Sequence, residues 1–231
     1  MQYSSVTVTN KSKLKKFSHQ KRFKVATKLL KLDKNDDFLD FGTGDGYLLN
    51  TLTITYPNSK ISGYEPIESM YNQLKLNIIS PEINLINDLD TIKGKKYTKI
   101  GCFEVLEHFN EENQRHHLKA MKAVLKEDGV IIISVPIEIG ISSLFKNIAR
   151  LLLKQKHGLT TRRNIWKAFL GKKIERLPTY YINSHIGFDY KELEKAFLKE
   201  DLEIIKKTYS PLKYLYSLFN SQVFYILKHK A

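Results

Sequence analysis

The sequence predicts an α/β fold, with a mostly parallel sheet covered by helices on both faces and an antiparallel last strand. Three observations carry this. Short apolar runs alternate with stretches of helical periodicity between residues 37 and 136, the pattern of parallel strands joined by helices. The ends of those runs carry glycines or acids (Gly42 to Gly46, Glu65, Asp88, Glu104), and in open α/β sheets ligands sit at the carboxyl ends of the strands. The alternation lapses after Pro136 and returns from Asp189, with two apolar runs at the C-terminal end that read as an edge hairpin.

In chain order, residues 1–10 read as a loose tail. Residues 11–32 read as a basic amphipathic helix with Phe17, Val25, Leu29 and Leu30 as its apolar stripe. Strands are predicted at 37–41, 60–64, 83–86, 98–103 and 130–135, and helices at 47–55, 68–79 and 111–125; Pro81 stops the second helix. Residues 137–186 read as a basic helical insertion. Its helix, 141–153, has Ile141, Leu144, Phe145, Ile148, Leu151 and Leu152 on one face. Asp189 is the predicted N-cap of a helix reaching residue 200. Strands at 202–208 and 222–228 close the sheet. The expected division is a basic N-terminal segment, 1–34, and one domain, 35–231, carrying the insertion as a lid or substrate element.

Charge is unevenly placed in a chain of 231 residues with net charge +14. Lys and Arg outnumber acids ten to one in residues 1–34 and again in 141–177, whereas residues 35–140 hold ten against sixteen. The predicted core is therefore acidic, and two appended blocks carry the positive excess. Such blocks favour an anionic partner: a phosphate-bearing substrate, an anionic lipid surface or nucleic acid. The lone cysteine, Cys102, allows no disulfide within the chain, and no 18-residue apolar run is present. Both fit a cytoplasmic protein, with contact at the inner membrane face open to the basic insertion.

The most informative segment is Leu39-Asp-Phe-Gly-Thr-Gly-Asp-Gly46, a strand running into a glycine turn and then a helix. The dinucleotide fingerprint G-x-G-x-x-G needs its third glycine where Tyr47 stands, so that reading fails. The spacing instead resembles motif I of the class I S-adenosylmethionine (SAM) dependent methyltransferases. Phe103-Glu-Val-Leu-Glu-His-Phe109 resembles the E-x-L-E-H motif of the type 11/12 methyltransferases, a class that includes ubiquinone O-methyltransferases and is similar to bacterial small-molecule and glycan O-methyltransferases. Lys126 to Gly129 resembles the family's L-K-P-G-G turn, with departures at Glu127 and Asp128. The likeness covers residues 22–136 well and 185–208 moderately, and leaves the insertion uncovered.

The resemblance implies a Rossmann-like seven-stranded sheet and SAM as cofactor, with S-adenosylhomocysteine (SAH) as product. It implies that Asp40, Gly42, Thr43, Gly44 and Gly46 wrap the methionine part, that Pro66 borders the adenine, and that Asp88 with Leu89 meets the adenine amino group. It also implies Phe103 and Glu104 as cofactor-binding residues. Glu65, 19 residues past Gly46, stands at the spacing from which an acid takes both ribose hydroxyls.

His108 and His185 are the candidate bases, because transfer to a hydroxyl releases a proton and histidine titrates near neutrality. His116 and His117 read as solvated. No clustered zinc or di-metal spacing appears, so no metal is expected. The absence of an Asn/Asp-Pro-Pro-Tyr sequence argues against transfer to adenine or glutamine nitrogen and leaves mostly O-methylation, or N-methylation of a small amine. Arg162, Arg163 and Tyr180, with His19 and Arg22, are the candidate acceptor-binding residues. The expected acceptor is a small or glycan-type anionic molecule, such as a phosphorylated, nucleotide-linked or lipid-linked sugar. An RNA methyltransferase and a non-catalytic SAM-binding subunit are the alternatives, and the oligomeric state is undetermined.

Overall fold

The structure, a computed structural model, describes residues 23–152, 161–176, 179, 181–182, 184–212 and 215–230. Its centre is a seven-stranded sheet in the order β3-β2-β1-β4-β5-β7-β6. The strands are β1 (Asp37–Phe41), β2 (Lys60–Tyr64), β3 (Asn84–Ile86), β4 (Tyr97–Phe103), β5 (Leu125–Pro136), β6 (Leu202–Ser210) and β7 (Gln222–His229). The first five pair in parallel, and β7 runs antiparallel to both β5 and β6. The helices are α1 (residues 23–30), α2 (Tyr47–Thr55), α3 (Glu68–Asn77), α4 (Glu111–Ala123), α5 (Gly140–Leu152), α6 (Arg162–Phe169) and α7 (Tyr190–Lys199).

Both sheet faces are buried, and the two-residue period of a strand divides its side chains between them. Phe38 and Ile132 join Leu30 of α1, Leu49 and Leu52 of α2, and Leu74 of α3 in one core. Leu39, Ile131 and Ile133 join Leu118 and Met121 of α4, and Leu193 and Phe197 of α7, in the other. Buried Cys102 lies in the second core. Asp189 caps α7 as predicted, its Oδ1 accepting from the Lys191 amide at 2.8 Å.

Three expectations change. Strand β5 starts at Leu125, ahead of the predicted residue 130; its pairing with β4 jumps from Leu125–Tyr97 to Val130–Lys99, so Lys126 to Gly129 bulges out of the ladder. His117 is buried, packed against Phe109 and Phe41, because it shares the inward face of α4 with Gln114, Leu118 and Met121. Burial pushes its pKa down to about 4. On α5 the described buried residues are polar (Ser142, Ser143, Asn147), while Ile141 and Ile148 are exposed. The apolar face read from the sequence does not face the core at those positions. Of the predicted N-terminal helix, residues 11–22 lie outside the described residues.

Candidate active site

The glycine turn leaves β1 at the middle of the sheet, where the strand order reverses direction. Gly42, Gly44 and Gly46 have φ of 86°, 63° and 82°, a left-handed conformation that side chains disfavour. Each glycine also has its own reason. A Cβ on Gly42 would stand 2.5 Å from Val105 Cγ2, and one on Gly46 would stand 2.7 Å from Leu74 Cδ1. A Cβ on Gly44 would approach only Met70 Cε, at 3.9 Å, so its bare face opens on the adjoining cavity.

The turn is tied to the next strand. The amides of Gly42 and Thr43 donate to the Tyr64 carbonyl at 2.9 and 3.0 Å, and Thr43 Oγ1 donates to the Asp40 carbonyl at 3.1 Å. Glu65, at the end of β2, accepts from the Gly44 amide at 2.9 Å on Oε2 and from the Ile67 amide at 3.0 Å on Oε1. An ionised carboxylate has about four acceptor positions, so both oxygens keep capacity for a diol. Asp40 and Glu65 are both buried, 3% exposed each. Desolvation raises the Asp40 pKa to about 7, with the neighbouring Glu65 charge adding to it against the Thr43 hydrogen bond. Desolvation also raises Glu65, opposed by its two backbone donors.

These residues line a cavity of about 320 Å³. Of the residues singled out in the sequence, Asp40, Gly42, Thr43, Gly44, Glu65, Pro66, Phe103, Glu104 and His108 line it. Its lining among the described residues holds four carboxylates (Asp40, Asp45, Glu65, Glu104) and no Lys or Arg. In a chain of net charge +14 this local sign is informative. It disfavours a pyrophosphate and favours a cation, and SAM carries both an ammonium and a sulfonium centre. Two buried carboxylates, one with its pKa pushed to about 7, together with the open face of Gly44, fit that cofactor.

At the other end of the cavity, Glu104 follows β4 with φ of 57°, and its Oε1 accepts from Ser134 Oγ at 3.1 Å. His108 lies one turn further on. Its Nδ1 is 2.9 Å from the Ile182 carbonyl, and its own carbonyl accepts from the Ile182 amide at 2.8 Å. A carbonyl only accepts, so the neutral ring carries its proton on Nδ1 and leaves the lone pair on Nε2. Tyr181 stacks on the ring at 4.8 Å and 13°, and His185 meets it edge-on at 4.9 Å. Burial lowers the His108 pKa below the usual histidine value. Glu107, His108 and His185 bring donor atoms within 4.8 Å of one another, a grouping that long-range folding creates and sequence spacing hid. Two histidines and a carboxylate suit either proton handling or a cation.

Other predicted residues fall elsewhere. Gly46 shapes the turn without lining the cavity. Asp88 and Leu89 do not line it either; Asp88 Oδ1 accepts from the Asp90 amide at 2.9 Å and caps a short 3₁₀ turn, Leu89–Ile92. His185 stands behind His108 and outside the lining. Arg162 and Arg163 are exposed on the first turn of α6. His19, Arg22 and Tyr180 lie outside the described residues.

Several contributors were missed. Phe23 and Ala26 of α1 line the cavity, with Phe23 packed on Tyr47 at 4.8 Å, and so do Met70, Val105, Phe109 and Tyr181. Arg176 was counted with the basic block, but its guanidinium is internal. It donates to the carbonyls of Glu107, Ser184 and Phe109 and so braces the loop that carries His108. Adjacent Tyr180 and Tyr181 gave the sequence no means of choosing between them.

The sheet order, the glycine turn and the acidic cavity together define a class I SAM-dependent methyltransferase. The chain belongs to the methyltransferase-domain family Methyltransf_23, whose model matches residues 15–170. It is 30% identical over 196 residues to the uncharacterized protein MJ1252 of Methanocaldococcus jannaschii, an alignment covering 80% of this chain and 72% of that one. Among solved structures it is similar to a SAM-dependent methyltransferase from Clostridium acetobutylicum, with TM-score 0.61, 15% identity and coverage of 99% and 96%. It is also similar to magnesium protoporphyrin IX methyltransferase from Synechocystis with bound SAH, with TM-score 0.61, 14% identity and coverage of 96% and 89%. The plantazolicin methyltransferase BpumL gives 0.57, 17%, 99% and 90%. These structural likenesses concern the fold.

Proposed function

We propose that the enzyme transfers the methyl group of SAM to a hydroxyl of a small or glycan-type acceptor that carries negative charge outside the reacting centre. The observation that carries this is His108, held at the cavity wall with its lone pair on Nε2. The acceptor oxygen bonds to the methyl carbon as the carbon–sulfur bond breaks. The electron pair stays on sulfur, giving neutral SAH, and the hydroxyl proton passes to His108 Nε2. Asp40 pairs with the cofactor ammonium, and Glu65 accepts from the ribose hydroxyls. Phe103 and Pro66 supply apolar walls, and holding donor and acceptor in line supplies much of the acceleration. His185 and Glu107 orient His108 from behind. The acidic lining keeps an acceptor's phosphate or carboxylate out of the cavity, which leaves it to the basic blocks outside.

The test is transfer of radiolabelled methyl from SAM into fractionated cell extract. Alkali-stable label in a glycan or glycolipid fraction is expected, since ethers resist the base that cleaves methyl esters. Label confined to RNA would replace this reading. Turnover is expected to persist in excess chelator. Loss on chelation that magnesium or manganese restores would move Glu107, His108 and His185 from proton handling to cation binding.

A further inference from the structure

Between β6 and β7 the described residues, 211–212 and 215–221, have their polarity turned inside out. Asn220 is fully buried, and its side chain accepts from the Leu212 amide at 2.6 Å and donates to the carbonyls of Leu212 and Tyr216. The backbone is thus gathered around a polar centre, and Leu212, Leu215, Tyr216, Leu218 and Phe219 are 41–67% exposed. Helix α5 continues the arrangement. Ser142 Oγ donates to the Asn220 carbonyl at 2.5 Å and Lys146 Nζ to the Ser221 carbonyl at 3.0 Å, while Ile141 and Ile148 of the same helix are exposed. Helix α6 packs on α5 and exposes Trp166 and Leu170, at 59% and 58%. A soluble surface rarely groups so many large apolar side chains unless something covers them.

Charge selects what covers them. Residues 161–173 hold Arg162, Arg163, Lys167, Lys172 and Lys173 and no acid. Both arginines stand at the positive end of α6, which has no acid in its first turn, so the local potential is concentrated. Apolar side chains beside a cluster of cations match the boundary between headgroups and acyl chains of an anionic bilayer. No described helix is long and apolar enough to cross a membrane, so the contact lies at the surface.

Position gives the contact a purpose. Gln222 at the start of β7 pairs with Pro136 at the end of β5, so the 211–221 segment stands at the same edge of the sheet as the cavity. Between β4, which carries His108 just beyond its end, and β6 lie three strand steps. At about 4.8 Å per step they span roughly 15 Å.

We propose that residues 211–212 and 215–220, with α5 and α6, dock on an anionic lipid surface, placing the cavity mouth within reach of an acceptor anchored there. This deepens the proposed acceptor class to a lipid-borne one, and the docking itself does not depend on catalysis. The test is co-sedimentation of the full chain with phosphatidylcholine vesicles made with and without phosphatidylglycerol. Binding is expected only with the anionic lipid, and it weakens as salt rises. A Leu212→Asp/Leu218→Asp double variant is expected to lose at least tenfold in vesicle affinity, and Arg162→Glu/Arg163→Glu at least as much. SAH affinity and melting temperature, read on the same samples, are expected to stay at wild-type values. Absence of sedimentation, or unchanged binding in both variants, would overturn the proposal. So would a stable dimer that the leucine variant dissociates, because that assigns the face to a second copy. Vesicle binding without turnover on any lipid fraction would leave docking standing and remove the lipid-borne acceptor.

Discussion

Replacing His108 with alanine is expected to lower kcat by about 10²–10⁴-fold while SAM affinity stays within a few-fold of wild type. The ring lines the cavity, yet the groups proposed to hold the cofactor (Asp40, Glu65 and the glycine turn) make no hydrogen bond to it. A His108→Gln variant keeps a side chain that can hydrogen-bond to the Ile182 carbonyl but supplies no base, so it should fall nearly as far. The pH profile gives a second reading. Burial holds the His108 pKa below 6.5, so the ring is neutral and able to accept a proton through the neutral range. The acidic limb of kcat should therefore lie below pH 6.5, with a plateau above. Steady-state kinetics across pH on both variants checks this; a limb unchanged in His108→Gln would assign the proton to another group.

Asp40→Asn is expected to stabilise the cofactor-free protein and weaken its grip on SAM. The Asp40 carboxyl has its pKa raised by burial from 3.8 to about 7. A raised acid binds its proton more tightly in the folded chain, so its contribution to stability is full below about pH 4 and is lost as pH rises through about 7. At pH 8 the wild type carries a buried charge at a cost of at most about 4 kcal/mol, which asparagine removes. The variant should melt higher than wild type at pH 8 and nearly equal to it at pH 4. SAM affinity should fall about tenfold to a hundredfold through loss of the charge-assisted bond to the ammonium. In the wild type, SAM binding should weaken below pH 7, where the ammonium must displace a proton. Melting at pH 8 and pH 4, with calorimetry at pH 8 and pH 5 in buffers of differing ionisation enthalpy, reads all three effects.

The first half of the fold was legible because its punctuation is local. The glycines from Gly42 to Gly46 end one short apolar run and open a helix, and β1, α2 and β2 fall where the sequence placed them. Glu65 was legible because one helix and one strand separate it from the turn. The other end of the cavity was not, because it is assembled from distant pieces. His108 is stacked on Tyr181, fixed by Ile182 and held in a loop braced by Arg176, through hydrogen bonds that span 67 to 74 residues. His117 shows a different loss. Gln114, His117, Leu118 and Met121 have the spacing of a buried helix face, but two polar residues disguised the stripe. The inverted loop at 211–220 was invisible for the complementary reason: its apolar residues look like core until Asn220 is seen at the centre.

The most direct test of the cofactor site is calorimetric titration of SAH into the wild type and a Gly44→Ala variant. Apart from its chain neighbours, the nearest atom to a Cβ at Gly44 is Met70 Cε at 3.9 Å, so the variant meets only the strain of its 63° φ and should stay folded, while the new methyl projects into the space assigned to the cofactor. One-to-one binding by the wild type and a loss of tenfold or more in the variant are expected. Equal affinity in the two proteins, or no heat from the wild type, would contradict the assignment of this cavity to SAM.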